Sequence, residues 1–123
     1  MNERSKRSAM RMRISVWLEN AEGLVLFGPG RLQILEAIDE HGSLSAAAEA
    51  LGMSYRGLWA RIRHSERRLG FPLVHAHAGR GAASGTSLTS KGRAMMDRFS
   101  RLRSHVTEAA DGIFGEIFPE SES

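Results

Sequence analysis

Twice within thirteen residues the chain stops one helix and starts another. Gly42 is followed directly by Ser43, and Gly52, after Met53 alone, by Ser54. Glycine closes a helix by taking the left-handed conformation. Serine opens one by accepting from the free N–H groups of the first turn. The stretch between, "SLSAAAEALG", has room for a short helix only, and its three consecutive alanines favour one with a thin profile that a neighbour can cross closely. Upstream, "GPGRLQILEAIDEHG" opens with Pro29 at a first helical position and aligns Leu32, Ile34, Leu35 and Ile38 on one side. Downstream, "SYRGLWARIRHSERRLG" runs to a closing Gly70. Residues 29–70 are thereby cut into three helices. The second and third, about 43–69, follow one another at helix–turn–helix spacing.

On either side of this trio lie short strand signals. "RMRISVWLE" alternates, with Met12, Ile14, Val16 and Leu18 on one face, and "NAEG" turns it into "LVLF". A hairpin over 11–27 is expected. After Gly70, Leu73 and Val74 start a strand, Gly79–Gly85 cannot hold a helix, and "TSL" returns. This is a hairpin with a flexible tip, a wing over about 73–88. Thr89 then caps a long helix, about 89–117. In it Met95, Phe99, Leu102, Val106, Ala109 and Ile113 are spaced 4, 3, 4, 3 and 4 apart. That heptad seam is longer than a small domain needs and predicts a dimer interface. Gly112 and Gly115 weaken its end, so "IFGEIF" is expected to turn back as a separate apolar patch. Residues 1–10 read as a disordered basic arm and 119–123 as a tail, leaving one domain over 11–118. The fold class is mainly α with small β.

The third helix carries the chemistry. At 100° per residue, Leu58, Ile62 and Leu69 mark its buried side. Arg56, Ala60, Arg63 and Arg67 lie opposite, Arg61 and Arg68 on one edge, and Trp59 and Glu66 on the other. Trp59 borders the core and is read as packing. The 123 residues carry a formal charge of only +3. From Ser54 to Arg93, however, eight basic residues face one acid, while five acids and no Lys or Arg follow from Glu108 onward. An ordinary solvated face mixes signs. An unmixed arginine stripe with a small alanine inside it suits a major groove, because the guanidinium fork matches phosphate and the guanine edge. Tyr55, Arg56, Ala60 and Arg63 are the base-reading candidates. Ser54, Arg67, Lys91 and Arg93 are phosphate candidates, and Arg80 at the wing tip is a candidate for the adjacent minor groove or a phosphate.

Other chemistries find little support. No cysteine is present, which removes disulfides and thiolate metal sites. His75 and His77 form an HxH pair with no carboxylate nearby in sequence, better read as wing-strand side chains than as a metal site. "GRGAASG" lacks the phosphate-loop pattern, and no nucleophile–base set stands out. An enzyme is not expected, nor a cofactor. No apolar stretch approaches the roughly 20 residues of a membrane span, and the N-terminus has no secretory h-region. A cytoplasmic, nucleoid-associated protein is expected. The alternatives are a winged-helix protein-interaction module or a non-specific DNA binder, which the salt dependence of binding separates.

"GSLSAAAEALGMSYRGLWARI", "RLGFPLV", the glycine-rich wing and "LTSKG" resemble the winged helix-turn-helix domain of the molybdate-responsive regulator ModE, and more loosely the LysR-type regulators. "SYRGLW" and the hairpin before the first helix favour the former. The resemblance covers about residues 11–118. It implies a dimeric bacterial transcription regulator that binds double-stranded DNA, with the hairpin and long last helix in the dimer contact. It further implies recognition through Ser54, Tyr55, Arg56 and the groove face after them, and a link to molybdate transport or metabolism genes. In that family molybdate binds separate C-terminal domains. The present sequence stops at Ser123, where such a domain would begin. Molybdate is therefore not expected to bind this chain alone, and a separate molybdate-binding protein is a possible partner. The wing also carries fewer basic residues before its glycines than the family's.

Overall fold

The computed structural model describes residues 10–77 and 85–119. Along the chain run β1 (Leu18–Glu19), β2 (Val25–Phe27), α1 (Pro29–His41), α2 (Leu44–Leu51), α3 (Tyr55–Leu69), β3 (Val74–His77), β4 (Gly85–Leu88) and α4 (Ser90–Ile117). The chain divides into two compact units. One is residues 16–100; the other joins residues before 16 to those from 101 onward.

The unit of residues 16–100 holds the core. Phe27, Leu32, Leu35, Ile38, Leu58, Ile62, Leu73 and Phe99 are each under 2% exposed. These apolar positions come from α1 and α3, the hairpin strand β2, the wing root and the first half of α4. The helix boundaries follow local chemistry. Ser43 Oγ accepts from the Ala46 N–H at 3.1 Å, and Ser54 Oγ from the Gly57 N–H at 3.0 Å. Gly52 has φ +67°, and the Met53 N–H reaches back to the Ala48 carbonyl at 2.9 Å. This is the left-handed closure that makes room for α3 to start at once. Ala47 and Ala48 are buried, so α2 is thin where its neighbours cross it.

The wing is an antiparallel pair with Val74 opposite Leu88 and His77 opposite Gly85. Its expected tip, residues 78–84, lies outside the described residues, as do most of the expected basic arm and the tail beyond 119. Thr89 ties the wing root to α4. Its hydroxyl donates to the Pro72 carbonyl at 2.7 Å and accepts from the Gly92 N–H at 2.9 Å, while its own N–H donates to the Leu73 carbonyl at 2.9 Å. Gly92 lies so close to that carbonyl that a Cβ would collide with it.

Three expectations need correction. The hairpin over 11–27 shrinks to a ladder of Leu18–Glu19 with Val25–Phe27, although residues 11–19 do alternate between half-buried and exposed. β2 ends at Phe27 because Gly28 and Pro29 open α1, so the earlier residues run out of strand partner. "IFGEIF" does not turn back: α4 continues through Gly112 and Gly115 to Ile117, with the Phe114 and Phe118 rings 5.3 Å apart. Glycine weakens a helix by about 1 kcal/mol without breaking its hydrogen bonds. Third, the heptad seam is split. Phe99 is 1% exposed and meets Phe27 edge-on at 5.1 Å, so it belongs to the core of its own chain and not to a dimer surface. Met95 packs against that core. Leu102, Val106, Ala109 and Ile113 remain exposed.

Candidate nucleic-acid interface

α3 is held by its apolar side and presents the other. Leu58 and Ile62 are buried, Leu69 is half-buried, and Arg56, Ala60, Arg63 and Arg67 are all exposed. Tyr55 stands 51% exposed at the helix start. Ser54, as the cap, keeps its hydroxyl proton to donate while its oxygen holds the Gly57 N–H.

Within this face the arginines differ. The Arg63 guanidinium lies 5.3 Å from the Trp59 ring centre and 3.6 Å from a Glu66 carboxylate oxygen. Trp59, expected to pack at the border of the core, is 37% exposed and its ring is a platform for Arg63. Glu66 does more than pair with Arg63. Its other oxygen accepts from the backbone N–H groups of Leu73 and Val74, at 2.8 and 3.3 Å, and so pins the wing root to α3. Sequence reasoning placed Glu66 on the helix edge and assigned it no role; its one signal was being the sole acid in a basic run. Arg56 and Arg67 make no ion pair among the described residues.

The remaining candidates spread outward. Lys91 Nζ sits 5.3 Å from the centre of the Phe71 ring. Arg93 is paired with Asp39 of α1 at 2.6 Å, and that hydrogen bond raises its pKa further above the ordinary arginine value. Its charge is thus partly answered within the fold. Arg80 lies outside the described residues. His75 and His77 stack edge-on at 4.6 Å, with His77 Nε2 2.8 Å from Ser87 Oγ. No group of three or more potential metal ligands occurs among the described residues. No helix among them is long and apolar enough to cross a membrane.

This geometry has relatives. The chain is 30% identical over 90 residues to the molybdenum-pterin-binding protein MopA of Rhodobacter capsulatus, covering 73% of this chain and 34% of that protein. It is 33% identical over 81 residues to the molybdenum transport protein ModE of Azotobacter vinelandii, covering 66% and 30% respectively. The chain therefore spans about a third of the length of the curated relatives it matches. Among solved structures, the complex of the CbnR DNA-binding domain with DNA superposes with a TM-score of 0.55 at 24% identity, over 72% of this chain and 95% of that one. ArgP from Mycobacterium tuberculosis superposes at 0.51 with 27% identity, over 72% and 31%. Residues 29–93, more than half the chain, match the family model of the bacterial regulatory helix-turn-helix proteins of the lysR family. The chain belongs to that family, one of DNA-binding transcription regulators and not of enzymes, and its fold is their winged helix-turn-helix.

Proposed function

We propose that this chain reads a specific DNA sequence as a homodimer, with α3 in the major groove, and that it regulates genes of molybdate transport or metabolism. One observation carries the reading: a helix that begins at a capped tight turn exposes Arg56, Ala60 and Arg67 on the side opposite its buried residues. A helix of about 10–12 Å diameter fills a groove about 12 Å wide, and the alanine lets it approach the floor. In this reading Tyr55, Arg56, Ala60 and Arg63 contact bases and Ser54, Arg67, Lys91 and Arg93 contact phosphates; Arg80, outside the described residues, is assigned the adjacent minor groove or a phosphate from the sequence alone. For Arg93 this means sharing its fork between Asp39 and the DNA. Leu102, Val106, Ala109 and Ile113 supply the dimer seam, since a solvent-facing stripe at heptad spacing is covered most simply by its own copy. The molybdenum link rests on the names of the relatives MopA and ModE.

Selection of bound duplexes from a random library at physiological salt tests this. The expected product is an inverted repeat with half-sites about 34 Å apart, one helical turn. Binding at low salt with no enriched sequence would overturn the specific reading.

A further inference from the structure

α3 has a second basic edge that the groove face does not use. Arg61, Ser65 and Arg68 stand at i, i+4 and i+7 and so line one side of the helix. From α1, Arg31 reaches across to the middle of this line, its Nε donating to Ser65 Oγ at 2.8 Å. Ser65 is 2% exposed, so this anchor is buried. Arg68 in turn donates through Nη1 to the Val25 carbonyl at 2.9 Å. The guanidiniums of Arg31 and Arg68 are thus held by neutral partners, and that of Arg61 is close enough to act on the charge of Arg31. Burial first, and then the charges of Arg61 and Arg68, lower the pKa of Arg31 from its ordinary value.

Among the described residues no carboxylate pairs with any of the three. The fold does answer a basic residue elsewhere, as Asp39 does for Arg93. Here a serine occupies the central position, and like charges are held together at a cost. A cluster of arginine forks, two of them anchored by neutral acceptors and the third left without one among the described residues, has the chemistry of a phosphate site. Its position selects the source. A helix that fills the major groove has a phosphate backbone along each edge, and Arg61 and Arg68 lie on one such edge, next round the helix from His64 and Arg67.

We propose that Arg31, Arg61 and Arg68 form a phosphate-binding cluster that grips the DNA backbone along one wall of the groove. The assignment rests on α3 being the groove helix. The cluster supplies affinity and register without sequence preference.

The test is the salt dependence of binding to two unrelated duplexes, by fluorescence anisotropy, for the wild type and for Arg31→Gln, Arg61→Gln and Arg56→Ala. Each Gln variant should flatten the slope of log K against log salt by about 0.9, so that a fourfold rise in salt costs about threefold less affinity than in the wild type. Both duplexes should weaken equally. Arg61 makes no hydrogen bond to another side chain or distant backbone group among the described residues, so its variant stays informative if Arg31→Gln unfolds. A second arm titrates inorganic phosphate against chloride at equal ionic strength and follows the thermal midpoint without DNA. Stabilisation by phosphate that both Gln variants lose, with unchanged slopes, would assign the cluster to a free oxyanion. Unchanged slopes with no phosphate effect overturn the proposal, and Arg56→Ala then shows whether the groove reading survives. A wild type that does not bind DNA at low salt would defeat that reading itself.

Discussion

Replacing Glu66 probes the joint between α3 and the wing. Its carboxylate accepts from the Leu73 and Val74 N–H groups, and both residues are buried, at 1% and 7% exposure. Glu66→Ala strands two buried donors. A stranded donor costs about 1–3 kcal/mol, and a hydrogen bond to a charged group contributes about 1.5–3. The expected loss is about 2–4 kcal/mol, since one of the two bonds is long at 3.3 Å. Glu66→Gln keeps one carbonyl acceptor and should lose about 1 kcal/mol. The pair with Arg63 adds little, because the Arg63 side chain is 54% exposed and water screens it. Arg63→Ala should therefore cost less than about 1 kcal/mol. Urea unfolding of the four proteins, with m-values compared, gives the differences directly. If Arg63→Ala costs as much as Glu66→Ala, the ion pair and not the backbone anchor holds the joint. If Glu66→Ala stays within about 0.5 kcal/mol of the wild type, the anchor contributes nothing measurable and the reasoning fails.

Three further outcomes are expected. Phe99→Ala should destabilise the fold by about 3–5 kcal/mol in chemical denaturation, through a cavity against Phe27; a loss of dimer with unchanged folding stability would return Phe99 to an interface. Arg56→Ala should relax base preference at one position of each half-site by about 1–3 kcal/mol, measured on single-base variants of the selected site, whereas equal weakening on all sequences would make Arg56 a phosphate contact. Ile113, 56% exposed, should become a barrier to self-association when replaced by Glu. Sedimentation at micromolar concentration should show a wild-type dimer and an Ile113→Glu monomer, and a monomeric wild type would refute the seam.

Much of this molecule is legible because its signals are local. A serine cap works on the N–H three residues on, a glycine closure on the carbonyls of the preceding turn, and an apolar stripe repeats within one helix. Reading residues one turn apart was therefore enough to place the three packed helices, the wing strands and the exposed face of α3. Local signals are not sufficient at Gly112 and Gly115, where a modest propensity penalty does not stop the helix, or at 11–17, where alternation forms no ladder because no strand among the described residues lies opposite.

Interactions between distant residues carry no such period. Glu66 reaches the wing root, Arg31 reaches Ser65 34 residues away, and Phe99 is claimed by Phe27 rather than by a second chain. By itself, the sequence determined where helices begin and end and which face of α3 is apolar, because caps and periodicity act over a single turn. The tertiary structure alone decided which arginines are answered by acids and which are left without one, and how much of the α4 seam remains for a partner. Those outcomes depend on which faces the packed core brings together.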